Sequence, residues 1–431
     1  MYRPLTVCLL ALAVTACTED TCDDEVYLTS YEPVILPAAE WRTDNFLLSD
    51  PLDVCDPTAF YVYGDLLLVM DRSKGLHVID NSDNDNPRPL AFLDIPGGGS
   101  MAVRNELLYV SQYIDLLTFS LRDAARPELI SRTENVFNLS SYHSNSMLAN
   151  GDIIVDFVEG TETIAVDCNR MPHGDEYVLW NDVVFATNNR VAMDAFNATG
   201  GQTPTGETVG IGGSLARFAI NEGTLYVVEH DNLRVFSLAD PTQPEFVGLE
   251  SLAWGVETIF PYKDMLFIGA ETGVHIFGLE DPHHPEYLSM FQHVRSCDPV
   301  VVQDDIAYVT MWGGGSCGSA QDQLMVVDVH DPRSPALLQE IPMTNSHGLG
   351  VDGNKLFLCT GPDGLKVFEL GDQGRVEREL HGSTDFSAKD VIVLPGRNEL
   401  IVLGWDQAGI RQFDYDAEGL PTPVSEIVIC N

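Results

Sequence analysis

Positive charge is the scarcest feature of this chain: 23 Lys+Arg, only five of them lysine, stand against 65 Asp+Glu in 431 residues, a formal charge of −42. A surface this negative repels phosphate backbones and anionic headgroups, so no nucleic-acid partner is expected. Long apolar runs are missing too. The most apolar stretch, Leu5 to Ala16, is about a dozen residues, against the roughly 20 that a spanning helix needs. No HExxH or CxxC framework occurs, and neither Gly97-Gly98-Gly99 nor Gly313-Gly314-Gly315 leads into Lys-Ser/Thr. Zincin and P-loop chemistry therefore have no sequence support. What remains is 45% hydrophobic and 20% charged, with 36 Gly and 24 Pro, the make-up of a folded globular chain.

The first twenty residues carry Arg3, the short apolar run and then Val14-Thr15-Ala16-Cys17, followed by the acidic segment Thr18 to Glu25. The apolar run has the length of a signal-peptide core. The small residues before Cys17 resemble the lipobox of bacterial lipoproteins. That resemblance implies cleavage before Cys17, a lipidated Cys17 and membrane attachment through the lipid. Thr18 stands where inner-membrane-retained lipoproteins carry Asp, which favours the outer membrane of a bacterial cell envelope.

Beyond residue 50 the chain repeats. The copies GLHVIDNSDNDNPRPLAFL (75–93), NLRVFSLADPTQPEFVGL (232–249), GVHIFGLEDPHHPEYLSMF (273–291) and QLMVVDVHDPRSPALLQEI (323–341) share an apolar strand, an Asp-rich turn ending in Pro, and a second strand. Weaker copies lie at 116–131, 364–380 and 409–427. Their turn aspartates Asp83, Asp123, Asp240, Asp281, Asp331, Asp372 and Asp416 are spaced 40, 117, 41, 50, 41 and 44 apart. Upstream of each copy a two-residue turn such as Gly64-Asp65, Asn105-Glu106 or Lys263-Asp264 joins two more apolar runs. Gly and Asn accept the positive φ of hairpin turns, and Asp-Pro favours a tight turn.

Four strands per forty residues cannot bury both faces alone, so copies must stack. A radially closed β-propeller of four-stranded antiparallel blades is the expected all-β fold. GLHVID with its Asp-x-x-x-Pro turn is also similar to the LVIVD repeat of bacterial, often secreted propellers, a resemblance spanning roughly 55–430 that implies a fold and no particular reaction. Eight blades are expected, with seven as the alternative, the segment 146–213 being read as one irregular blade and 26–37 as an outer strand near the closure. The domain reading is a signal peptide over 1–16, lipidated Cys17 with an acidic tether and strand segment over 17–50, and the propeller over 51–431.

Seven cysteines remain after Cys8 and Cys17, in a compartment that permits disulfides. Cys297 precedes an innermost strand and Cys317 sits in the insertion WGGGSCGSAQDQ, so the two open onto one face and are the expected pair. Cys22 with Cys430 is a weaker pairing.

Propeller ligands gather where loops lead into the innermost strands. At those positions stand Asp56, Ser100, His143, Arg217, Glu257, Asp298, His347 and Lys389-Asp390. Carboxylates and two histidines converging there would suit a divalent cation such as Ca²⁺, a cationic ligand or a sugar. Each could equally cap its own strand, and no cofactor is assigned from these residues alone. Trp254 and Trp312 lie where an indole could stack on a sugar. His283-His284 occupies the variable part of a repeat turn and reads as solvated. The function expected is a lipid-anchored, non-enzymatic scaffold for a protein or glycan. The alternatives are a metal-assisted hydrolase or lactonase working at the central channel, and an adhesion component using loops 199–213 and 312–322.

Overall fold

The structure, a computed structural model, describes residues 25–46, 50–72, 74–137, 151–165, 177–180, 183–186, 209–229, 231–252, 255–293, 299–313, 321–383, 385–405 and 409–430. The chain divides into two units. In the larger one, seven antiparallel sheets of consecutive strands form the blades of a propeller, with strands lettered a to d outward from the axis. Blade 1 runs from Pro57–Tyr63 to Arg88–Leu93, blade 2 from Gly98–Arg104 to Glu128–Thr133, and blade 3 from Phe218–Asn221 to Glu245–Ser251. Blades 4 and 5 run from Val256–Tyr262 to Glu286–Gln292 and from Val300–Gln303 to Ala336–Pro342. Blades 6 and 7 run from Leu349–Asp352 to Val376–Ser383 and from Ala388–Leu394 to Pro421–Ile427. Among the described residues no helix is long and apolar enough to cross a membrane.

The blade count is therefore seven, the stated alternative to eight. The segment expected to supply the eighth blade instead contributes to the smaller unit. There Ile153–Ala165, Glu25–Leu36, Tyr177–Trp180 and Val183–Ala186 form one sheet in that order. Ser30 faces Leu179 in a parallel pair, and the last two strands make an antiparallel hairpin. Residues 25–36 thus pair with this insertion rather than with an outer blade strand. The cause is strand partnership: once 25–36 lies between two strands of the insertion, those strands complete a sheet without the ring.

Within the propeller, burial follows the layer. Strand b has a sheet face against each neighbouring blade, so Leu67 to Met70, Leu108 to Val110 and Leu356 to Cys359 are buried as unbroken apolar runs. Strand d has solvent beside it and stays exposed or half-buried throughout, as in Glu245–Ser251 and Ala336–Pro342. All seven c–d pairs carry a register shift at the same level, for example at Val78/Ile79, Phe119 after Thr118 and Val326/Val327. A bulge adds local twist, which turns the outer strand away from the next blade's flat edge.

The repeated Asp turn is an inter-blade clasp. Asp240 Oδ1 accepts the Thr242 amide at 3.0 Å, and Asp331 Oδ1 accepts the Arg333 amide at 3.0 Å, which fixes each turn locally. The preceding blade then grips it: Tyr109 Oη donates to Pro241 O at 2.8 Å, Tyr226 Oη to Pro282 O at 2.8 Å and Tyr308 Oη to Gly374 O at 2.9 Å. Burial raises all three phenols far above their ordinary value, so each stays a protonated donor.

Closure joins blade 7 to blade 1. Phe60, Val62, Leu67 and Val69 pack with Ile392, Leu394, Ile401 and Leu403. Asn81 and Gln412 exchange side-chain amide hydrogen bonds of 2.8 and 2.7 Å in the buried seam. Cys55 is disulfide-bonded to Cys430 across 375 residues. This corrects the Cys22–Cys430 pairing; Cys297 and Cys317 lie outside the described residues. At the other end of the expected tether, residues 37–46 pack on blade 2. Trp41 is buried there, and Arg42 and Arg132 both hold the fully buried Asp115.

Candidate functional site

The strands a begin on one face of the propeller, here the upper face, and their axial edges define the channel. Residues 209–217 run through that channel. Ile211 and Gly212 pair with Val62 and Tyr61, adding a fifth strand inside blade 1. The Gly210 amide donates to Val103 O of blade 2 at 3.0 Å, and Ala216 O accepts the Ile259 amide of blade 4 at 2.6 Å. Ser214 reaches the far side. Its amide and hydroxyl donate to Asp390 Oδ1 at 3.1 and 2.8 Å, and its Oγ accepts the Leu349 amide at 2.8 Å. The loop expected over 199–213 therefore has its end inside the channel, with residues 199–208 outside the described set.

Asp390 is the anchor. It is 2% exposed, and burial pushes its carboxyl up to about 6, against the hydrogen bonds from Ser214 and the Val391 amide. Two glycines make the fit: a Cβ on Gly213 or on Gly348 would lie 2.1 Å from an Asp390 carboxylate oxygen. Asp390 lies in the innermost strand of blade 7, and its Oδ1 is occupied by donors of the chain itself.

The other expected residues divide. Burial draws the Arg217 guanidinium below its ordinary range, while Glu257 and Glu229 pull it back up, so Arg217 and Glu257 answer one another. Asp56 lies away from the axis in an exposed ion pair with Arg72 at 2.8 Å. Ser100 donates its amide to Ser111 Oγ at 3.0 Å within blade 2. His143, Asp298 and Trp254 lie outside the described residues. His283 and His284 sit on the lower face in their turn, with His284 Nδ1 3.0 Å from Asp281.

His347 is different. It enters blade 6 just before strand a, and its ring lies between two indoles: Trp312, following strand b of blade 5, at 4.9 Å, and Trp405, following strand b of blade 7, at 5.1 Å. The indoles are 6.4 Å apart, and Lys389 Nζ lies 5.0 Å from the Trp405 ring. Burial lowers the imidazole to about 4, with Asp322 opposing and Lys389 reinforcing that shift. At neutral pH the ring is uncharged, with one N–H donor and one acceptor. Asp322 braces the cluster by accepting the amides of Gly313 and Asn345, and Thr310 Oγ1 donates to His347 O at 2.7 Å. Trp312, His347 and Trp405 are all half-buried.

Trp405 escaped the sequence reading, although a signal existed. Aligning the residue after each strand b gives Arg72, Tyr113, His230, Glu271, Trp312, Thr360 and Trp405, which puts the two indoles in one register two blades apart. Among the described residues, no group of three or more His, Cys, Asp or Glu is placed to hold a metal ion.

No family model matches the chain, and no curated protein matches it in sequence. Solved propellers do match it in shape. A protein assigned as a 6-phosphogluconolactonase from Bacteroides fragilis is 12% identical with a TM-score of 0.53, over 88% of this chain and 97% of that one. The periplasmic gluconolactonase of Pseudomonas aeruginosa is 11% identical with a TM-score of 0.54, over 86% and 96%. At these identities the likeness is one of fold.

Proposed function

We propose that this protein is a lipid-anchored binding propeller of the bacterial cell envelope, attached through Cys17, that presents its upper face to a glycan or protein without catalysing a reaction. The observation that carries this reading is the threaded channel. Residues 209–217 run through the space where propeller chemistry would be sought, and Asp390 Oδ1 accepts from Ser214 and the Val391 amide. The half-open cluster of Trp312, His347 and Trp405 is aromatic with a neutral imidazole, which suits recognition better than proton transfer. The lipobox-like start, the LVIVD-like repeats and the strongly acidic composition support an envelope location, with the outer membrane favoured by Thr18.

The lactonase alternative draws on the shape shared with the gluconolactonase fold. It would need a carboxylate set, with or without Ca²⁺, on this same face. One assay separates the two: hydrolysis of glucono-δ-lactone and 6-phosphogluconolactone by the mature chain, with chelator and with Ca²⁺. The binding reading expects no turnover above buffer. Turnover that disappears in His347→Ala at unchanged melting temperature would replace it with the enzyme. Incorporation of labelled fatty acid into the wild type, lost in Cys17→Ser, tests the anchor.

A further inference from the structure

We infer that Trp312, His347 and Trp405 form a subsite for an uncharged pyranose ring. The inference rests on the binding reading and gives its ligand a chemical class. A pyranose has an apolar face of C–H groups and a rim of hydroxyls. An indole at the mouth of a site covers the first, and a neutral imidazole, with one donor and one acceptor, serves two neighbouring hydroxyls on the second. The cluster offers both within one ring diameter, with centroids 4.9, 5.1 and 6.4 Å apart.

Three further observations favour a built site over incidental packing. None of the three rings belongs to a hydrophobic core cluster; they sit where strands of blades 5, 6 and 7 end or begin, half open to solvent. Each is held from behind. Asp322 ties the Gly313 and Asn345 amides together, Ser346 Oγ donates to Met311 O at 2.7 Å, and the Trp405 amide donates to Ser387 O at 2.9 Å. Such bracing lowers the ordering cost of binding. Among the described residues Trp405 Nε1 is a buried donor without a hydrogen-bond partner, which leaves an indole N–H unsatisfied at the site. Charge narrows the class. With a net −42 the protein repels sugar acids and phosphates at long range, and the nearby Lys389 ammonium disfavours amino sugars.

The test uses the mature chain with three probes, cellobiose, maltose and N,N′-diacetylchitobiose, and sorbitol as the open-chain control. Saturation-transfer NMR on the wild type should show ring C–H signals for at least one disaccharide and none for sorbitol. Trp312→Ala should weaken that binding about tenfold, with Trp312→Phe recovering part of it and both retaining the wild-type melting temperature. Absence of saturation transfer from every disaccharide overturns the inference. So does binding that Trp312→Ala leaves unchanged. The binding reading falls separately, through His347-dependent lactone turnover, so the two failures remain distinguishable.

Discussion

Asp390 lies within the innermost strand of blade 7 and His347 just before that of blade 6, yet one is held by the chain's own donors and the other sits among aromatic rings. In the channel, Asp390 points at a strand that the same chain supplies, and every donor it meets is internal. At the rim, His347 meets two indoles from other blades. Neighbouring entry regions of a repeat therefore diverge according to what else reaches them.

The largest effect should come from loosening the ring around the channel. Replacing Cys55 and Cys430 together by Ala frees ends 375 residues apart and should cost about 4 kcal/mol, read as a lowered melting temperature that matches the reduced wild type. If the melting temperature stays put, packing at the seam of blades 7 and 1 closes the ring without help. Next comes Gly213→Val, whose Cβ has no room beside Asp390; about 3 kcal/mol should be lost, with the indole fluorescence of the folded state unchanged. A changed indole signal would mean that channel and rim are mechanically one region.

Two smaller effects oppose each other in pH. The Asp390 carboxyl is raised from 3.8 to about 6 in the folded state, so folding is favoured by its protonation below pH 4 and loses that support as pH rises through 6. Asp390→Asn should therefore remove a fall in stability of about 2 to 3 kcal/mol between pH 4 and pH 7, seen as the difference between the two melting curves. His347 is lowered from 6.5 to about 4, so it contributes fully above pH 6.5 and its contribution is lost as pH falls through 4. His347→Gln should flatten that acid-side loss by about 1 kcal/mol, discounted because the ring is half-buried. Difference curves of the same sign for both variants would break the contrast between channel and rim.

The repeat was legible because its physics is local. Short apolar runs, positive-φ turn residues and Asp-Pro turns declare strands and hairpins within a few residues of themselves. The four-stranded blade and the upper-face position of Arg217, Glu257, His347 and Asp390 followed from that register. The eighth blade did not, because residues 153–186 carry the same strand grammar as a blade. Only their pairing with residues 25–36 separates them from one. Strand character is written in the segment, whereas the partner is chosen by competition among all strands of the chain.

The same division holds at the site. Composition and periodicity determined by themselves that the protein is an acidic, all-β, four-strands-per-blade ring, since charge and burial pattern are sums over the residues. The threading of 209–217 onto Asp390, the closure by Cys55 rather than Cys22, and the meeting of Trp312, His347 and Trp405 were decided only in three dimensions. Each of these depends on groups tens to hundreds of residues apart that touch only when the ring closes, and no local propensity encodes such a distance.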